Sequence, residues 1–164
     1  MWRWYDRTEE WLALLLLAGL SLSMLLTATM RALGSPFAGG AEFAQFLFIW
    51  TTVLGANITL RRGGQIRVDA VVSLLPVPVA KFLSAICLLL MLGFLVLLVR
   101  HGFPLALRNW QRPMGVGLLS YGYVTLALPV GAALMIITLL RRVVSQGISG
   151  ALVSDDHLLT DKPL

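Results

Sequence analysis

Four stretches of this sequence run for eighteen residues or more without a charge: Trp11 to Met30, Phe43 to Leu60, Phe82 to Val99 and Leu118 to Leu140. A helix rises 1.5 Å per residue, so each is close to the length needed to cross about 30 Å of hydrocarbon. Barrel strands would be shorter and would alternate polar with apolar residues. The expected fold is an all-α integral membrane protein with four transmembrane helices. Composition supports this: 58% of residues are hydrophobic and 13% charged, against roughly 25% charged in soluble domains. A soluble chain of this size could not hide so much apolar surface. The formal charge of +5 does not indicate nucleic acid, because the basic residues form small groups between the apolar runs. A nucleic-acid binder gathers them into one patch.

Arginine and lysine also orient the chain. Arg3, Arg7, Arg61, Arg62, Arg67, Lys81, Arg141, Arg142 and Lys162 fall on one side, and Arg31, Arg100, Arg108 and Arg112 on the other. Positive residues favour the cytoplasm, so both termini are expected there. Asp6, Glu9 and Glu10 make the N-terminus a poor secretory leader, and the first run is expected to remain as a helix. Between the second and third spans, Asp69 is placed to cap a short helix from Ala70 to Leu75. With Val68, Val71, Val72 and Leu75 on one side, that helix would lie in the headgroup region. Residues 1–144 are expected to form the membrane domain and 145–164 a mobile cytoplasmic tail. His101 and His157 are expected in solvated loops, Trp11, Trp110, Arg141 and Arg142 as membrane anchors.

The second span is the unusual one. Glu42, Gln45, Ile49, Thr52, Ala56 and Thr59 follow three-four spacing and form one stripe, widened by Thr51, Gly55 and Asn57. Polar and small side chains in lipid generally face protein, where they find partners and allow close approach. A packing face is the favoured reading, and an ion pathway the alternative. Glu42 invites comparison with intramembrane acids in proton relays. At the start of its helix, however, a carboxylate is also favoured by the helix dipole. Gly19, Ser23 and Thr27 give the first span a small-residue ridge, and Pro129 with Gly131 mark a kink or hinge in the fourth. The third span is almost solid Leu, Ile, Val and Phe, and periodicity does not decide whether it faces lipid or protein. The single cysteine, Cys87, allows no disulfide within the chain. The sequence has no phosphate-binding loop, dinucleotide fingerprint, zinc-protease motif or nucleophile elbow. It also has no repeat and few polar groups at mid-span from which a carrier could build a solute site. A non-enzymatic accessory subunit without cofactor is expected.

From Glu42 through Pro76 the chain resembles the small membrane subunit of tripartite ATP-independent periplasmic (TRAP) transporters, the DctQ-like family. The residues carrying the resemblance are Glu42, Phe48, Trp50, Leu54-Gly55-Ala56, Arg61-Arg62, Ile66-x-Val68-Asp69 and Leu75-Pro76. Ser120-Tyr121 and Leu128-Pro129-x-Gly131 resemble the family's fourth helix. Gln65 stands where the family often has His. The resemblance implies a complex with a periplasmic solute-binding protein and a large multi-helix membrane subunit that carries an organic acid-type solute with sodium. The small subunit would pack against the scaffold of the large one. Carried over by position, Glu42, Trp50, Arg61, Arg62 and Asp69 would be structural anchors and interface residues, beside Gln45, Thr52, Gly55 and Ala56 of the polar stripe. The alternative is an independent small proton-coupled transporter or channel using Glu42.

Overall fold

The computed structural model describes residues 2–36, 38–62, 77–115 and 119–150. Four long helices dominate: α1 (Trp2–Ala32), α2 (Gly40–Arg61), α3 (Val77–Arg108) and α4 (Tyr121–Gly150). Each contains a stretch long and apolar enough to cross a membrane. Asp69 and the short helix expected at 70–75 lie outside the described residues, as does His157. Two two-residue strands, β1 (Pro113–Met114) and β2 (Leu119–Ser120), pair antiparallel between α3 and α4. They are the one departure from an all-α chain among the described residues.

The helices start and stop where backbone chemistry allows. α1 ends at Gly34, whose φ of 77° lets Ser35 N–H donate to Met30 C=O at 3.1 Å. This left-handed turn satisfies carbonyls that the last helical turn would otherwise strand. Gly39, with φ 89°, opens α2 and accepts from Phe43 N–H at 3.0 Å. α3 runs without interruption past Val99 to Arg108, carrying Arg100, His101 and Pro104 inside it. His101 therefore lies in a helix and not in a loop, with Nδ1 3.0 Å from Leu97 C=O. A single charge does not end a helix, and this one continues even though Pro104 has no N–H to donate to the Arg100 carbonyl. α4 likewise continues past Leu140 to Gly150.

The helices pack in a row, α1 against α2, α2 against α4, and α4 against α3. Leu20 of α1 meets Ala44 and Leu47 of α2 in one apolar cluster. Leu60, Leu88, Leu95, Ala132 and Leu139 form the other, joining α2, α3 and α4. Gly131 makes the α2–α4 approach possible, because a Cβ at that position would run into the Val53 side chain. This arrangement leaves α1 and α3 as the two edges of the row, each with a broad apolar face uncovered. In water such faces would aggregate, whereas lipid or protein covers them without cost.

Candidate functional site

The polar side chains converge at one end of the row, where three helices each contribute groups three or four residues apart. α1 supplies Asp6, Glu9 and Glu10; α2 supplies Asn57 and Arg61; α4 supplies Thr138, Arg141 and Arg142. Residues at this spacing share a helix face, so every contribution points into the same junction. Arg61 is the hub. Its Nη1 lies 3.0 Å from Asp6 Oδ1 and 2.8 Å from Glu9 Oε2, and its Nη2 is 2.9 Å from Glu10 Oε1. Arg141 grips Asp6 with both nitrogens, at 2.9 and 3.2 Å. Arg62 reaches Glu10 at 2.9 Å from the outside of the cluster.

Beneath the ions lies a neutral relay. Asn57, fully buried, donates from Nδ2 to Glu9 Oε1 and accepts at Oδ1 from the Thr138 hydroxyl at 2.9 Å. Arg142 is also buried and donates to the Leu60 carbonyl at 2.7 Å, in the last turn of α2. Three carboxylates answer Arg61, Arg62 and Arg141, while Arg142 adds a further positive charge at the C-terminal carbonyls of α2, where the helix dipole favours a cation. The groups of this cluster are already engaged with one another, and that geometry ties α1, α2 and α4 together. We call it the clasp.

The opposite end is built differently. Glu42, in the first turn of α2, lies against Gly115 of the turn after β1, so closely that a Cβ there would overlap its carboxylate. Gly115 has φ 46°, and glycine thus answers both the turn and the crowding. Tyr121 N–H donates to Arg112 C=O at 2.9 Å, and the Ser120 hydroxyl donates to Trp110 C=O. Trp110 packs on Tyr123 with ring centroids 4.7 Å apart. An aromatic pair at a helix end suits a membrane–water interface.

The residues singled out from sequence thus separate into groups. Arg61 is taken up by its own chain, while Arg62 is largely exposed. Arg142 is drawn inward to a backbone carbonyl, and Arg141 to Asp6, so neither is simply extended toward headgroups. Trp11 is exposed on α1. Gln45 and Thr52 lie on the uncovered side of α2 with Thr59, and Gly55 and Ala56 are half-buried beside them. The buried side of α2 is another one, carrying Ala44, Leu47, Leu54, Asn57 and Leu60. Thr52 and Thr59 satisfy their hydroxyls on carbonyls of their own helix, at Phe48 and Gly55. Trp50 is half-buried against Phe46, and its Nε1 meets no acceptor among the described residues. Sequence reasoning missed Asp6, Glu9, Glu10, Asn57 and Thr138 as a unit. The available signal was the matched three-four spacing of acids before the first span and of Asn57 with Arg61 at the end of the second.

Comparison with known proteins fits this architecture. The family model described as "Tripartite ATP-independent periplasmic transporters, DctQ component" matches residues 20–147. The chain belongs to the DctQ family. The match takes in the second part of α1, all of α2 and α3, and most of α4, but begins after the acids of the clasp. A curated relative is the sialic acid TRAP transporter permease protein SiaT of Haemophilus influenzae (strain 86-028NP), 25% identical over 137 residues. The alignment covers 81% of this chain but 22% of that permease, so the chain spans about a fifth of its relative's length. As a DctQ component this is a multi-pass membrane protein of a transport system, a class of transport component and not of enzyme.

Proposed function

We propose that the chain is the small membrane subunit of a TRAP transporter and that it packs against the scaffold of a larger membrane subunit. That subunit would move the solute, an organic acid delivered by a periplasmic binding protein, together with sodium. The observation carrying this reading is the row of helices with a polar, small-residue stripe left uncovered. Gln45, Thr52 and Thr59 face away from the buried side of α2, where lipid offers nothing to Gln45 and a protein neighbour does. The clasp gives the row the rigidity that a brace needs, since its charges hold α1, α2 and α4 without any outside partner. The 22% share of the curated permease that this chain spans leaves room for a transport unit beyond these residues.

Placement of both termini in the cytoplasm of a bacterial inner membrane belongs to the same reading. Its support is the excess of Arg and Lys at the clasp end and in the flanking segments. An independent proton-coupled transporter using Glu42 has less support, because that carboxylate is packed against the Gly115 turn at one end of the row. The direct test is to tag the C-terminus, solubilise native membranes in mild detergent and identify what co-purifies. A stoichiometric partner with many transmembrane helices is expected. Recovery of the chain alone, or only with itself, would overturn the assignment.

A further inference from the structure

Arg100 lies near the middle of the membrane. α3 and α4 are antiparallel neighbours: a Cβ on Gly102 would come within 2.9 Å of Pro129 Cβ, and one on Gly122 within 2.8 Å of Trp110 Cα. From Tyr121 to Arg141, α4 rises about 30 Å, the thickness of the hydrocarbon core. Pro129 is eight residues along that path, and Arg100 is two residues beyond Gly102 in the same direction. This sets Arg100 level with about Gly131, roughly 15 Å from either edge. Its side chain is exposed and makes no hydrogen bond or ion pair among the described residues. Reaching for the interface at Trp110 is disfavoured, because Cα–Cβ bonds lean toward a helix N-terminus and α3 begins at the other end.

The same face of α3 carries a notch. Gly93, two turns before Arg100, is exposed, and a Cβ there would meet nothing within 4 Å. Leu89, Leu90, Phe94, Val96 and Leu97 wall this shallow depression. Small residues at such points let a second helix approach closely in lipid. An arginine at this depth needs a carboxylate or a carbonyl beside it. A second copy of this chain has no acid to offer there. Asp6, Glu9 and Glu10 are at the clasp end and Glu42 at the other, and no Asp or Glu falls inside any of the four apolar runs. Lipid phosphates lie half a bilayer away.

The geometry points to α3 as a docking edge for a transmembrane helix of the larger membrane subunit, one that fits the Gly93 notch and presents an Asp or Glu carboxylate to Arg100. This rests on the small-subunit reading above and names the contact. The test compares wild type, Arg100→Leu, Arg100→Lys and Gly93→Phe in the C-terminal pull-down, with a photo-crosslinking residue placed at Leu97. The expected result is a roughly tenfold fall in the ratio of large subunit to chain for Arg100→Leu and for Gly93→Phe, with Arg100→Lys in between. The Arg100→Leu chain alone should be at least as heat-resistant as wild type in detergent, since it loses no internal partner. The crosslink should join Leu97 to the large subunit. An unchanged ratio for Arg100→Leu, or crosslinks only to lipid or to a second copy, would overturn the docking edge while leaving the subunit assignment intact. A wild-type chain that brings down no larger subunit would remove both.

Discussion

Arg61 and Arg100 are the same side chain in two membrane helices, and their surroundings differ as much as two sites can. Arg61 is surrounded by three carboxylates from α1 and is 13% exposed. Arg100 is exposed on α3 and meets no charge among the described residues. The contrast follows from the row. α2 is interior, so its charges must be answered by the helices on either side. α3 is an edge, so what it shows can be answered only from outside the chain. A charge satisfied internally contributes to the fold, and a charge left over on an apolar edge marks where the fold is incomplete by itself.

The largest effect should come from breaking the internal half of this contrast. Arg61→Leu leaves the buried Glu9 with its Asn57 hydrogen bond but no opposing charge, and removes the central ion pairs between α1 and α2. Losing one member of a buried ion cluster costs about 3–5 kcal/mol. Thermal unfolding of the detergent-solubilised chain should show a pronounced loss of stability, with little folded protein recovered. Replacing Glu9 as well as Arg61 with Leu should recover part of the loss, because the uncompensated carboxylate disappears with it. If the double variant is as unstable as the sum of the two single ones, the charges are not acting as a pair.

Next in size is Asn57→Leu. It leaves Glu9 Oε1 without its amide donor and the Thr138 hydroxyl without its acceptor, at about 1–3 kcal/mol. Gly131→Val should fall in the same range, since a branched side chain pressed against Val53 overpacks the α2–α4 contact by about 1–3 kcal/mol. Adding Val53→Ala to Gly131→Val should restore much of that stability. No restoration would mean that the contact between these helices is governed elsewhere.

Much of this was legible in the sequence, and the reasons it stopped are physical. The four apolar runs announce spanning helices because lipid leaves backbone groups no other partner. The ends were less legible. Arg100 looked like the end of the third run, yet a helix buried in lipid carries one charge through more readily than it breaks its hydrogen bonds. Gln45, Thr52 and Thr59 of the expected stripe are exposed and Glu42, Ile49 and Ala56 half-buried, because which face a helix buries depends on where its neighbours stand. Here α1 and α4 take the side holding Leu47, Leu54 and Asn57. The clasp was hidden for a different reason. Its members are spread from Asp6 to Arg142, and only the packing of α1 and α4 on either side of α2 brings them together.

The smallest effect sharpens the comparison most, because it concerns the neighbouring residue. Arg62 also pairs with Glu10, at the 2.9 Å separation Arg61 has, but its side chain is 66% exposed. Water already solvates it, and an exposed pair of this kind contributes about 0.2–1 kcal/mol. Arg62→Ala should therefore change thermal stability little. What difference there is should shrink further at high salt, which screens exposed charges far more than buried ones. Arg61→Ala, one residue away and with similar distances, should be severe at any salt. If the two substitutions cost the same, burial is not what separates these arginines, and the argument that an unanswered Arg100 needs a partner would lose its footing.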